Sequence, residues 1–448
     1  MKKATAIKKG VTGLFAACLA LGAWAEGPTV SHVTARQRWP WSRLVDIDYT
    51  LESDEPEGEA DIVLTAYNGA ANPLVIPAAA LSGDLSSVKP GPRRIVFDPT
   101  KTAYTREPLM HFTVELTARR VPLYLIMSLT NAVDTLPQVE YVYEADLTNG
   151  VWGAWVRNPV TNDTAVIQSV IWTGVTTNDV YKTEKLVLRR IPAGTFKNLN
   201  AATVNLTKDF YAGVFELTQR QWELIASSPL ASRPSNFNNL AYYAARPVET
   251  VKYDIVRGAT NDIPAIDWPL TGSSVSSNSF IGKLRAKTGI EAFDLPTEAQ
   301  WEYLCRAGTT TYFNDGKPDT DTAVPNDKTN IWLNALGRYQ YNGGWVDSYI
   351  FPPRDCTPSN ATAVVGSFLP NAWGLYDTLG NVWELTLAWN GTLYGGTDPS
   401  GVTNGTMRVR RGGAWSSAPN LCLPTYRNAF YAWDGLRDQG IRLVWTLP

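Results

Sequence analysis

The sequence is poor in histidine. Its 448 residues include only His32 and His111, and no histidine follows position 111. The C-terminal part of the chain therefore has no histidine of its own for a His-rich zinc or iron site, or for a Ser-His-Asp triad. These two kinds of catalytic centre are excluded there.

Cysteine is also scarce, and basic clusters are missing beyond the N-terminal segment. Apart from Cys18, the chain has only Cys305, Cys356 and Cys422. In an oxidising compartment three cysteines allow one disulfide and leave one thiol over. The formal net charge of the whole chain is −2, and this balance without a basic patch argues against nucleic acid as a partner.

Long apolar runs are missing as well, except for a short one near the N-terminus. Four lysines precede the apolar stretch 11–21, and Ala23-Trp24-Ala25 follows it. This order is typical of a secretory signal peptide, and the stretch is too short to span a bilayer. We predict that residues 1–25 are a signal peptide cleaved after Ala25 and that the chain has no membrane span. The protein is then secreted, periplasmic or on the cell surface.

The region after the signal peptide has the pattern of short β-strands. Apolar and polar residues alternate at 45–51, 62–67 and 111–117, and Gly, Pro, Asp and Asn separate these runs. Residues 26–120 are therefore predicted to form a β-sandwich of immunoglobulin or fibronectin type. Residues 121–185 are interpreted as a β-rich linker region.

The character of the sequence changes at Leu186, where helix signals begin. Thr218 and Thr297 can each cap a helix, with a glutamine three residues later to complete a capping box. A third helix is predicted to end at Gly289, because glycine is favoured just after a helix C-terminus. Long loops are expected beyond Gly308.

A set of motifs in residues 186–448 identifies a family. In chain order they are Asp209-Phe-Tyr-Ala-Gly-Val-Phe-Glu-Leu-Thr218, Arg246-Pro-Val-Glu249, Phe293-Asp-Leu-Pro-Thr-Glu-Ala-Gln-Trp-Glu-Tyr303, Asn371-Ala-Trp-Gly-Leu-Tyr-Asp377, Gly380-Asn-Val-Trp-Glu384, Arg411-Gly-Gly-Ala-Trp415 and Gly440-Ile-Arg-Leu443. This set resembles the formylglycine-generating enzyme family, also called sulfatase-modifying-factor domains. The resemblance implies an α+β, loop-rich, C-type-lectin-like fold, here preceded by the β-sandwich.

The resemblance also places the family's copper site. Copper(I) is a soft ion that is held there by two thiolates, and the matching positions are Ser417 and Cys422, beside the pocket residue Trp383. A serine hydroxyl cannot replace a copper thiolate. Three further positions of the same pocket depart from the family pattern: Ala414, Ala418 and Asp438. We therefore expect neither bound copper nor copper oxidase activity.

For the remaining thiol of the pair, Cys422, the alternatives are a nucleophile, a metal ligand, and a structural or free thiol. A lone cysteine needs a nearby base to act as a nucleophile, and none of the usual type is near Cys422 in the sequence. We favour a structural or free thiol over a metal ligand. The resemblance also leaves open a disulfide with Cys305, although the usual partner position is Arg427.

The resemblance further implies calcium sites built from oxygen atoms, which suit a hard cation. The first site would use the side chains of Asp377 and Glu384 with the carbonyls of Gly380 and Val382. The second would use Asn330 and Ile331, with Asp347 as its carboxylate. The alternative is that Asp377 and Glu384 only cap turns, and we favour calcium.

The stretch from Ser416 to Asp438 is where the family recognises its partners. It is rich in the residue types that binding surfaces favour, and the predicted ligand-binding residues are Asn420, Tyr426, Tyr431, Trp433 and Arg437. The favoured function is a calcium-stabilised module that binds a protein or glycan. The alternatives are a formylglycine-generating oxidoreductase that acts on a sulfatase cysteine and a binding protein diversified near its C-terminus.

Overall fold

In the computed structural model the chain forms two compact units, with the boundary along the chain between Val121 and Pro122. The structure describes residues 28–38, 42–53, 59–69, 73–76, 80–85, 88–104, 109, 111–131, 139–142, 154–155, 170–171, 174–226, 234–237, 241–258, 275–316, 330, 332–343, 361–393, 395–402 and 404–447. The predicted signal peptide lies outside these ranges. Among the described residues, no helix is both long enough and apolar enough to cross a bilayer.

In the described residues of the first unit there are six strands, which form two antiparallel sheets. The strands are β1 Thr29–Gln37, β2 Val45–Glu52, β3 Ala60–Asn68, β4 Leu81–Gly83, β5 Gly91–Phe97 and β6 Phe112–Arg120. One sheet has the order β1-β2-β5-β4, and β3 pairs with β6 in the other. Alternate residues of a strand face opposite sides, and the inward residues of both sheets, among them Ile47 and Ile62, share one core.

The strands of the second unit are short. They are β7 Tyr124–Ser128, β8 Val139–Val142, β9 Ala154–Trp155, β10 Val170–Ile171, β11 Lys185–Ile191, β12 Gly194–Lys197, β13 Thr203–Leu206, β14 Phe210–Gly213, β15 Phe293–Asp294, β16 Trp383–Trp389, β17 Gly396–Thr397, β18 Arg408–Arg411, β19 Arg427–Phe430, β20 Gln439–Gly440 and β21 Val444–Thr446. They form sheets of order β15-β21-β14-β11-β7-β8, β12-β13-β17 and β19-β18-β16-β20, and β9 pairs with β10.

The six-stranded sheet joins distant parts of the chain. Strand β21, at the C-terminal end of the described chain, lies between β14 and β15. Strand β11 pairs with β7, and β7 pairs with β8. Residues 124–128 and 139–142, which we interpreted as part of a linker region, thus belong to the main sheet of the second unit.

The helices of the second unit confirm the predicted end signals. Those described are α1 Gly174–Thr177, α2 Val180–Thr183, α3 Gln219–Ala226, α4 Tyr253–Arg257, α5 Phe280–Thr288, α6 Glu298–Arg306 and α7 Leu333–Leu336. Thr218 and Gln221 exchange hydrogen bonds of 2.9 and 3.3 Å before α3, and Thr297 does the same with Gln300 before α6. Helix α5 ends at Gly289, whose φ of 72° is the left-handed conformation expected there. The predicted α+β class, with few helices and long loops, is confirmed.

Candidate functional site

Two glycines turn the chain into the predicted copper pocket directly after β18. Gly412 and Gly413 have φ values of 96° and 77°, which side-chain-bearing residues rarely adopt. A Cβ on Gly413 would lie only 2.4 Å from the sulfur of Cys422. Position 413 must therefore be glycine, because of its backbone conformation and because the Cys422 sulfur leaves no room for a side chain.

Ser417 and Cys422 come together at the backbone amide of Ala414. The Ser417 Oγ accepts a hydrogen bond of 3.0 Å from that amide, and the Ser417 N–H donates to the Ala414 carbonyl at 2.9 Å. The same amide interacts with the Cys422 sulfur, but burial is the larger effect and raises the pKa of this thiol to about 12. Ser417 thus closes a turn, and the neighbouring thiol stays protonated at neutral pH.

The pocket around this pair is closed and apolar. Ser417 is 4% exposed and Cys422 is fully buried. Ala414 belongs to a buried apolar cluster with Phe237, Ala361, Trp383 and Trp415, against which Leu421 and Tyr426 pack, whereas Cys422 belongs to the large core of the second unit. Ser417 and Cys422 thus meet at the Ala414 amide, and Ala414 in turn packs in the cluster that contains Trp383.

The suggested disulfide between Cys305 and Cys422 is absent from the structure, in which both residues are free thiols. Cys305 is buried on α6 and its thiol donates to the Thr378 carbonyl at 3.7 Å. Burial raises the pKa of Cys305 to about 12. Cys356 lies outside the described residues.

The predicted first calcium loop, 377–384, is tightly turned and buried. Asp377, Gly380 and Asn381 have φ values of 55°, 86° and 59°. Oδ2 of Asp377 accepts from the Gly366 amide at 2.6 Å, whereas its buried Oδ1 has no hydrogen-bond partner. A buried carboxylate oxygen without a partner is costly, and a bound cation would relieve that cost.

The carboxylate of Glu384 is engaged by an arginine and a tryptophan, so its oxygens are not left free for a metal ion. Its carboxylate accepts from Nε and Nη2 of Arg442 at 2.6 to 3.0 Å and from the Trp301 indole at 2.7 Å. Both Glu384 and Arg442 are almost completely buried. The remaining guanidinium hydrogens of Arg442 go to the carbonyls of Gly213, Val214 and Tyr376.

Glu216 is a third acid in this cluster, and our sequence analysis gave it no role. It is fully buried and accepts hydrogen bonds from the Val382 amide at 3.0 Å and the Asn381 side chain at 2.6 Å. The available signal was an acid between the apolar residues Phe215 and Leu217 on a short buried segment. A charged residue there requires a specific partner.

The buried cluster contains three acidic side chains, those of Glu216, Asp377 and Glu384, and one basic side chain, that of Arg442. Burial raises the pKa of Asp377 to about 6 and raises that of Glu216 well above its usual value, with the neighbouring carboxylates adding to the effect on Glu216. Arg442 is the cation that these residues share. An excess of oxygen ligands and an unpartnered Asp377 Oδ1 fit a hard cation. Within the described ranges, however, no three His, Cys, Asp or Glu side chains are placed to hold one together.

The second predicted calcium set lies only partly within the described residues. Oδ1 of Asn330 accepts from the amides of Trp332 and Leu333, each at 3.0 Å, just before α7. Ile331 and Asp347 fall outside the part of the chain that the structure describes. The described residues give this site no further support.

Two of the predicted ligand-binding residues form an exposed pair, and the others do not join it. The rings of Tyr431 and Trp433 stack 4.7 Å apart with an interplanar angle of 10°, and these side chains are 41% and 54% exposed. Tyr426 instead packs on Trp383 in the closed pocket. Asn420 and Arg437 are half-buried.

Two further exposed apolar side chains lie on the same loop or on a segment that is hydrogen-bonded to it. Ile255 on α4 and Leu436 are 44% and 39% exposed, and two hydrogen bonds join their segments: Asp254 N to Ala432 O and Thr250 N to Leu436 O. We call Ile255, Tyr431, Trp433 and Leu436 the aromatic loop surface. Ile255 could not be found from the sequence, because the loop that its segment is hydrogen-bonded to lies nearly 180 positions further along the chain.

The backbone under this surface is fixed. Asp434 Oδ2 accepts from the Tyr431 amide at 3.1 Å, and the Gln439 side chain donates to the Asp434 carbonyl at 3.0 Å. These hydrogen bonds hold the backbone of the loop that carries the exposed rings.

Comparison with known proteins agrees with the motif set. Residues 174–447 match the family model described as "Sulfatase-modifying factor enzyme 1-like domain". The chain is 30% identical over 288 residues to a protein named "Chaperone protein LppX" from Paenibacillus barcinonensis, covering 60% of this chain and 92% of the relative. It is 33% identical over 133 residues to the formylglycine-generating enzyme of Mus musculus, covering 29% of this chain and only 32% of that enzyme.

Among solved structures, the Treponema denticola variable protein 1 matches with a TM-score of 0.41 and 21% identity, covering 58% of this chain and 95% of that one. The family match covers more than half of the chain and includes every motif named above. This protein therefore belongs to the family of sulfatase-modifying factor enzyme 1-like domains, the family of the formylglycine-generating enzymes.

Proposed function

We propose that this protein is an exported, non-catalytic member of its family that binds a protein partner through the aromatic loop surface. The observation that carries the proposal is the stacked and exposed pair Tyr431 and Trp433, held on a fixed backbone. Exposed apolar patches with rigid aromatic residues mark binding sites more often than ordinary surface does.

The copper pocket supports the non-catalytic part of the proposal. Copper(I) needs soft ligands, and the pair offers one thiol with a pKa raised to about 12. Ser417 Oγ is already engaged by the Ala414 amide. Among the described residues, the Cys422 thiol is also fully buried and so not exposed to a substrate.

A protein partner is favoured over a glycan for this surface. The side chains that form it are apolar or aromatic, whereas a glycan needs many polar contacts. The LppX relative is named a chaperone, and this chain covers 92% of its length. That name describes the relative. For this chain we propose only that its ligand is also a protein.

We also propose that calcium stabilises the second unit at the loop 377–384. Asp377 would supply its unpartnered Oδ1, and Gly380 and Val382 would supply carbonyl oxygens, with Glu384 nearby. A bound calcium ion would offset the negative charge of this cluster. The first unit, whose two sheets share a core, is proposed to be an immunoglobulin-like sandwich, and the second to be related to C-type lectins.

The aromatic loop surface can be tested by substitution. We expect Trp433→Ala and Tyr431→Ala to fold normally, because both side chains are exposed, and to weaken partner binding by about tenfold or more, as binding hot spots do. A photo-crosslinking residue at position 433 would first identify the partner in secreted and envelope extracts. The purified partner would then be titrated against each variant.

Leu199→Ala is the matched control, because Leu199 is 44% exposed but lies elsewhere, on the turn between β12 and β13. It should bind the partner like the unchanged protein. Equal affinity of all three variants would refute the surface assignment. Capture of glycans on an array, abolished by Trp433→Ala, would show that the ligand class is wrong.

Calcium should stabilise the protein measurably. We expect calcium at about 100 times its Kd to raise the free energy of unfolding by about 2.7 kcal/mol, because it binds only the folded state. Asp377→Asn should abolish this increase. The measurement is urea unfolding followed by tryptophan fluorescence, with calcium and with chelator.

Asp48→Asn serves as the control for the calcium experiment, since the Asp48 side chain is 39% exposed, pairs with Arg94 and belongs to the first unit. It should keep the full calcium effect. An unchanged unfolding curve on addition of calcium to the native sequence would remove calcium from the account.

A further inference from the structure

The strand order of the first unit matches that of an immunoglobulin sandwich as far as β6. The sheet β1-β2-β5-β4 corresponds to strands A, B, E and D, and the pair β3-β6 corresponds to C and F. In that fold a further strand, G, pairs with the other edge of F. Here the next strand along the chain is β7, which pairs with β8 and β11 in the second unit. Among the described residues, no strand takes the position of G beside β6.

The hydrogen bonds of β3 show which groups of β6 point to that edge. Ala60 exchanges hydrogen bonds of 2.9 Å with Val88, on the side of β3 away from β6, and the Ile62 amide likewise donates to Leu85 at 2.7 Å. In an antiparallel pair, two residues directly opposite each other either both point to the partner strand or both point away. Ala60 lies opposite Arg120, so even-numbered residues face even-numbered ones. The backbone groups at even positions of β6 therefore point to its edge away from β3.

This edge of β6 lacks backbone partners. Within the described chain, the N–H and C=O groups of Val114, Leu116 and Ala118 form no backbone hydrogen bond. Strand β1 passes close to β6 on this side of the sandwich, but no backbone hydrogen bond joins the two strands. A row of such groups along a strand is a template for pairing with another strand.

The apolar side chains at the same positions are incompletely covered. Ile47 and Ile95, on the inward face of the larger sheet, are fully buried. Val114, Leu116 and Ala118 pack on the same core but are only half-buried. A strand added beside them would remove this apolar surface from water, which is favourable. The edge of β6 therefore offers apolar contacts as well as backbone hydrogen bonds.

The outward side chains of β6 indicate which strand fits. Glu115, Thr117 and Arg119 are exposed on the outer face. If a second β6 pairs antiparallel about a twofold axis at Thr117, Glu115 of each copy lies opposite Arg119 of the other. The even-numbered backbone groups of the two strands then face each other, as hydrogen bonding requires. An axis at Glu115 would instead place two carboxylates opposite each other, which is unfavourable.

We propose that the free edge of β6 pairs with the same edge of a second copy of this chain. The two β3-β6 sheets then form one continuous antiparallel sheet around a twofold axis, with the same surface used by both copies. Each copy's β6 takes the position of G beside the other and covers Val114 and Leu116. Opposite-charge pairs between Glu115 and Arg119 fix the register. The contact is independent of the aromatic loop surface.

Sedimentation velocity of the complete chain without its predicted signal peptide, at about 1 to 100 µM, measures the association. We expect a monomer–dimer equilibrium with a Kd on the order of 10 µM, because one pair of strands makes a small interface. Glu115→Arg alone and Arg119→Glu alone should each weaken dimerisation about tenfold, since both cross-strand pairs become repulsive. The variant with both changes should dimerise like the native chain. A mixture of the two single variants should form heterodimers in preference to either homodimer.

Trp433→Ala is the control for association through the aromatic loop surface and should dimerise unchanged. Circular dichroism would show that each variant is folded. A native chain that stays monomeric at about 100 µM overturns the proposal and leaves the edge to a strand of a different protein. The proposal is also overturned if the single charge variants dimerise as tightly as the native chain, if the folded double variant does not recover dimerisation, or if Trp433→Ala abolishes the dimer.

Discussion

Replacing Arg442 by methionine is expected to lower the free energy of unfolding of the second unit by about 3–5 kcal/mol, the usual cost of breaking a buried ion pair from one side. Arg442 is fully buried and donates to Glu384 and to three backbone carbonyls. Methionine has a similar length but donates nothing. Glu384 would be left buried near Glu216 and Asp377 without the cation that they share.

Urea unfolding followed by tryptophan fluorescence would measure this loss. Arg220→Met is the matched control: Arg220 is 40% exposed and pairs with Glu223 on the same helix, so it should cost less than about 1 kcal/mol. A second variant that also carries Glu384→Gln should recover part of the loss, because the buried charge is gone. A loss below about 1 kcal/mol for Arg442→Met would contradict this description of the cluster.

Changing Ser417 to cysteine is expected to create copper(I) binding. The Ser417 hydroxyl and the Cys422 thiol meet at the Ala414 amide, so the substitution places a second sulfur beside the first. Two ligands held together gain about 10²–10⁴ in affinity over either one alone, and copper(I) prefers sulfur. We therefore expect Ser417→Cys to bind copper(I) about 100 to 10,000 times more tightly than the native sequence.

A competition titration against a colorimetric copper(I) chelator under reducing conditions would measure the change. The double variant Ser417→Cys, Cys422→Ser has one thiol again and should return to the native affinity. If Ser417→Cys folds but binds no more copper than this double variant, the two positions do not form a site, and their burial serves packing alone.

Local signals in the sequence predicted much of the second unit. The capping residues Thr218 and Thr297 begin helices, and Gly289 ends one, because these effects depend only on neighbours along the chain. The motif set predicted the family, since each motif keeps its residues in a fixed local order. The predicted pair Ser417 and Cys422 is also brought together.

Long-range contacts were harder to predict. Strand β7 joins the main sheet by pairing with β11, more than 50 residues further on, and β8 joins it by pairing with β7. The short run of β7 gives no sign of its distant partner. Glu216 and Arg442 meet in a cluster only through the fold. The suggestion that Cys305 pairs with Cys422 was wrong, since spacing alone cannot show which thiols meet.

The central claim, that the family's chemistry is absent, is tested most directly by incubating the native protein with copper(I), oxygen, a thiol reductant and a cysteine-containing sulfatase peptide. Mass spectrometry of the peptide would follow its cysteine, with Cys422→Ser as the reference. We predict that the peptide keeps its cysteine and that both proteins bind copper(I) equally weakly. Formylglycine in the peptide, or tight copper(I) binding that depends on Cys422, would contradict the account.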